Sequence, residues 1–170
     1  MKRIFTTILL SGLFLFSACE KEPTNDTNSN NNANIVPPPT DVEGPAAPFV
    51  GVWTVNTEAN MNAPVVGNIT RNETSTYVIA ANGSEGAVNV SMTSEYGSST
   101  ATGMADSTGL HLSSYDQQSS FAGMQFTMTV AAATIPVPVN GTTSWTASIS
   151  GRVGIYNATG TLNNTATKQQ

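Results

Sequence analysis

One histidine, one cysteine and eleven carboxylates are what this 170-residue chain offers for chemistry. His111 stands between Leu110 and Leu112, where strand alternation turns it outward. A metal centre needs several His, Cys or carboxylate donors converging on one point, and no such cluster accompanies it. Glu58, Glu73, Glu85, Glu95, Asp106 and Asp116 fall singly near predicted turns. That placement suits solvated acids better than the paired carboxylates of a hydrolase. Serines are plentiful, but no G-x-S-x-G elbow frames one and only His111 could serve as a base. A G-x-x-x-x-G-K phosphate loop is also missing from the sequence. The chain reads as a non-enzyme, with no catalytic residue, no metal and no cofactor.

Cys19 carries a different chemistry. Lys2 and Arg3 form a charged start, Ile4 to Phe16 is mostly apolar, and Ser17-Ala18 precede the cysteine. The run is too short to span a bilayer, which takes about 18 or more residues, and matches a signal-peptide core. The stretch Phe16-Ser17-Ala18-Cys19 resembles the lipobox of bacterial lipoproteins. The resemblance implies a diacylglyceryl group on the Cys19 thiol, removal of residues 1–18, and an acyl chain such as palmitate on the new amino terminus. Several acyl chains anchor stably, since each buried methylene contributes about 0.8 kcal/mol. With no second cysteine an intramolecular disulfide is impossible.

Once residues 1–18 are gone, Lys21, Arg71, Arg152 and Lys168 face all eleven acids. So few cations exclude nucleic-acid binding by phosphate neutralisation. Glu20-Lys21-Glu22 resembles the short acidic export signals of Bacteroidetes surface lipoproteins. That likeness implies an outer-membrane location, with the cell surface favoured over the periplasmic face. Residues 19–48 are rich in Asn, Ser and Pro, which supply too little apolar surface to offset ordering entropy. They read as a disordered tether that reaches about 30 Å on average.

From Phe49 the pattern becomes period-two. Phe49, Gly51, Trp53 and Val55 share a face, as do Val88, Val90 and Met92, then Met124, Phe126, Met128 and Val130, then Trp145, Ala147 and Ile149. Asn82-Gly83, Ser107-Thr108-Gly109 and Asn140-Gly141 punctuate these runs as turns. Pro136 and Pro138 must lie on an edge or at a bulge, which makes residues 135–139 a poor central strand. About 8–10 short antiparallel strands over residues 49–170 make an all-β domain, a barrel or a β-sandwich. Met92, Met104, Met124 and Met128, with Phe126, are candidates to line a soft pocket, or simply to fill the core.

Gly51-Val52-Trp53 matches the G-x-W of the first strand of lipocalins. With the lipobox, tether and Thr-rich strands, the chain resembles the small lipocalin-like (calycin-like) lipoproteins of Bacteroidetes. The resemblance implies a β-barrel whose floor is closed by Trp53, packed against the closing strands around Val153 and Ile155. Such a barrel would take a small apolar or amphipathic ligand or a glycan; a solid-cored envelope or adhesion protein is the alternative. Asp106-Ser107-Thr108 resembles the D-[ST]-x acceptor of general O-glycosylation in Bacteroides-like bacteria, which implies Ser107 as the modified residue. The sequence leaves the oligomeric state open.

Overall fold

The computed structural model describes residues 42–64, 67–83, 85–121 and 124–170. The leader, Cys19 and the tether up to residue 41 lie outside them. Ten strands form one antiparallel sheet: β1 (Gly51–Ala63), β2 (Gly67–Ala81), β3 (Ala87–Ser94), β4 (Gly97–Ala105), β5 (Leu110–Leu112), β6 (Tyr115–Phe121), β7 (Met124–Val130), β8 (Ala133–Ile135), β9 (Thr142–Val153) and β10 (Tyr156–Lys168). The lateral order is β6-β7-β9-β10-β1-β2-β3-β4-β5-β8.

This order closes on itself through two bent strands. Only Ser113 and Ser114 separate β5 from β6, and only Ala131 and Ala132 separate β7 from β8. Leu110 faces Ile135, Leu112 faces Ala133, Tyr115 faces Val130 and Phe121 faces Met124, a constant register throughout. β5–β6 and β7–β8 are therefore the two arms of a single hairpin. At the bend both arms expose two consecutive residues, so the inward face switches parity in each. The upper part of that hairpin pairs with β4 and its lower part with β9. Counted this way, eight strands run up and down in chain order, and the last pairs with the first. The result is a curled, barrel-like single sheet rather than two packed sheets, so the barrel and not the sandwich is the architecture.

Two details differ from the sequence reading. The strands are not all short: β1, β2, β9 and β10 have 13, 15, 12 and 13 residues. Weakly patterned runs such as GNITRN join stronger ones because both neighbours supply hydrogen bonds, or one neighbour does so along its whole length. The domain also begins before residue 49. Ala46 is buried and Val42 packs against the core, so the last residues assigned to the tether dock onto the barrel.

Inward residues form two apolar clusters. The first contains Phe49, Trp53, Val55, Tyr77, Ile79, Val88, Val90, Met92, Leu110 and Ile135. The second contains Met61, Phe126, Met128, Val130, Ile149 and Leu162. Tyr115 touches both. On β1 and β10, buried Thr57 and Asn164 lie between the two clusters along the strands, Thr57 donating to Asn164 Oδ1 at 2.7 Å. A buried hydroxyl needs such a partner, and this pair supplies it.

Candidate functional site

Trp53 is 2 % exposed, and it seals one end of the barrel. Its Nε1–H donates to the carbonyl of Phe49 at 2.6 Å, fixing the turn at residues 46–50 across that end. Lys168, its direct partner on β10, places Nζ 5.6 Å from the indole centroid, within cation–π range. Gly51 makes this approach feasible: a Cβ there would sit 2.7 Å from Lys168 Cε. From the closing strands, Thr143, Trp145 and Ala166 line a small void together with Trp53. The turn at residues 153–155 lies at the opposite end of β9 and β10, with Ile155 76 % exposed. Among the described residues, two small voids border this half of the core, one among Phe49, Trp53, Tyr77 and Trp145, the other beside Met92 and Gln117. Each is about 10 Å³, no larger than one water.

The residues expected to line a pocket divide between the clusters. Met92 belongs to the first, with Tyr77 as its cross-strand partner, and Phe126 and Met128 belong to the second. Met124 is paired with Phe121, and its side chain lies outside the described ones. Met104 is 50 % exposed and faces outward, opposite His111. Tyr77 and Tyr115 place their hydroxyls 3.4 Å apart. Burial, and next the neighbouring Tyr115, push the Tyr77 phenol well above its ordinary value, so it stays protonated.

Asp106, Ser107 and Thr108 form the turn between β4 and β5. Asp106 Oδ1 accepts from the Thr108 N–H at 2.7 Å and the Thr108 hydroxyl at 2.6 Å. These bonds, with a smaller contribution from His111, lower the Asp106 carboxyl to about 2. His111 faces outward with Nε2 3.1 Å from Asp106 Oδ2 and Nδ1 3.0 Å from Thr134 Oγ1. Carboxylate, imidazole and hydroxyl thus line up on the outer wall, where they staple the turn to β8. Thr108 is engaged by Asp106, whereas Ser107 is simply exposed. Among the described residues no three His, Cys, Asp or Glu side chains converge as a metal site.

Sequence reasoning missed the outer face of β10, β1 and β2. Glu58 is not near a turn; it sits mid-strand, directly opposite Asn163 on one side and Asn72 on the other. The next row is Thr165, Asn56 and Thr74. Together they line an open concavity of about 420 Å³. Thr74 donates to Asn56 at 2.9 Å and Asn60 to Glu58 at 2.8 Å, so the rows are held in place. Similar links continue outward through Thr146–Asn163 and Thr70–Asn60. A signal was present in the alternate Asn56, Glu58, Asn60 and Asn62 of NTEANMN, but only the register brings three strands' worth of it together. In these rows the outward residues of the three strands are Asn, Thr and Glu rather than the apolar band of a membrane-spanning barrel. No family model, no curated protein and no solved structure matches the chain.

Proposed function

We propose that this chain is a lipid-anchored outer-membrane protein, held by acylated Cys19, whose barrel is a packed scaffold and whose outer face binds a neutral glycan. The observation that carries the binding surface is the Asn163–Glu58–Asn72 row in its concavity, set against the interior voids beside Trp53 and Met92, each of which holds no more than a water. Amide and hydroxyl groups in adjacent strands recur about every 4.8 Å and offer donors and acceptors side by side. Sugar hydroxyls are both, and Glu58 can accept from two neighbouring ones. The excess of acids over cations repels an anionic polymer. The anchor and the outward location rest on the leader and on Glu20-Lys21-Glu22.

Native mass spectrometry of protein taken from its own envelope tests this reading. The expected species is the acylated chain with a dissociable saccharide adduct that is lost in Glu58→Gln with Asn72→Ala. A retained apolar molecule, unaffected by those changes, would place the ligand inside the barrel and overturn it. Peptide mapping of the same sample reads Ser107 separately: a covalent hexose-containing increment there, abolished in Asp106→Ala, marks it as a glycosylation acceptor.

A further inference from the structure

Neighbouring walls of the barrel differ in length. β2 has 15 residues and β3 has 8, and their ladder covers only Thr76–Ala81 of β2. Among the described residues, Gly67–Ser75 therefore pairs on one side alone, with β1. β6, laddered to β7 among the described residues, runs beside β4 and is reached from that free edge of β2 by the Arg71 side chain. Among the described residues no ladder joins β6 to β2 or to β4. The wall has a seam there, bounded by backbone groups that no strand satisfies, and such edges are where sheets part or accept partners.

A charged side chain spans the seam. Arg71 lies on the inner row of β2, between Ile69 and Glu73. Its Nη1 donates to the carbonyl of Ser120 on β6 at 2.5 Å. Its Nη2 lies 3.2 Å from Glu95 Oε1, and the guanidinium stacks 3.9 Å from the Tyr96 ring centroid, both in the turn between β3 and β4. A planar, always-charged fork can make all three contacts at once, which an ammonium cannot. The side chain of Arg71 is 29 % exposed, so the latch sits at the mouth rather than in the core. Met61, Phe126, Met128, Ile149 and Leu162 belong to the cluster in this lower half. Higher up, the Tyr77–Tyr115 contact holds the same two walls.

We infer that Arg71 is the latch of a lateral opening in the barrel wall. Releasing it lets the β3–β4 turn and β6 separate and exposes the second apolar cluster while the first stays packed. Maleimide labelling of buried cysteines tests this in the full chain, with Cys19→Ser to remove the native thiol. Met128→Cys reports the second cluster and Leu110→Cys the first; the parent residues are 3 % and 0 % exposed. Arg71→Gln should raise the Met128→Cys labelling rate about tenfold or more and leave Leu110→Cys unchanged, as local opening requires. Arg71→Lys should resemble Arg71→Gln. High salt should act in the same direction on the unaltered latch, since it screens the exposed Glu95 arm. Equal acceleration at both cysteines would mean global unfolding, and no acceleration would mean that Arg71 holds nothing. Either result overturns the inference.

Discussion

Trp53 contributes through its nitrogen as well as its ring, because the bond to Phe49 ties the end turn to β1. Trp53→Ala should cost about 3–5 kcal/mol and lower the melting temperature sharply. Trp53→Phe keeps most of the packing but loses the hydrogen bond, a loss of about 1 kcal/mol plus the smaller ring. Calorimetry showing Trp53→Ala melting with the wild type would remove the residue from the core's framework. Asp106 supplies a pH test. Its folded carboxyl titrates at about 2 against an ordinary 3.8, so its stabilisation is complete above the ordinary value and lost as pH falls through about 2. Carbon-detected NMR should place the Asp106 midpoint near the lower figure and Thr108→Val should move it up; a midpoint at the ordinary value would dissolve the staple. Alternation made Trp53 legible as inward and His111 as outward. It misplaced Met104, because the inner row of β4 is Ala101, Gly103 and Ala105, too small to reveal which parity is buried. It gave no hint of Arg71, since the inner row of lower β2 runs Ile69, Arg71, Glu73, Ser75, with no apolar rhythm to read.

At the level of elements, the strongly alternating strands and the Asn140-Gly141 hairpin were legible, the latter with positive φ at both residues. The bent hairpin was not. Ser113-Ser114 and Ala131-Ala132 look like linkers, and only the shared register shows that each joins two parts of one strand. The long, polar halves of β2 and β10 were also underestimated, because the neighbouring backbone rather than their own propensity holds them extended. The β1–β10 pairing depends on one close approach. A Cβ on Gly160 would collide with the carbonyl of Asn60 and lie 2.8 Å from Met61 Cα, all backbone that cannot step aside. Gly160→Ala should therefore destabilise by about 1–3 kcal/mol, as overpacking does. Thr161→Ala, outward on the same strand, should stay within about 0.5 kcal/mol. Urea midpoints decide the matter, and equal midpoints would show that the two strands have room to spare.

For the whole molecule, the leader and Cys19 are the reading of a short motif that lies outside the described residues, whereas the polar face of β10, β1 and β2 left no motif, because it exists only where three strands meet in register. Cys19→Ser should release the protein from membranes and leave the leader uncut, as fractionation and amino-terminal analysis would show; unchanged association and processing would end the anchor reading. The chain enters and leaves the barrel at the same end. Val42 packs beside the Trp53 cluster, and the Gln169 N–H donates to the Val52 carbonyl at 2.8 Å. The Ala63–Gly67 end of the β1–β2 ladder and the turns at residues 95–96 and 154–155 lie at the other end. This arrangement has a mechanical meaning for a tethered protein. A force pulling on those distal turns against an amino-terminal anchor would draw β1 lengthwise past β2 and β10. The hydrogen bonds of both ladders would then be strained together, in shear. The same force applied between the two chain ends would peel the ladders one rung at a time, so the direction of the pull decides how firmly the barrel holds.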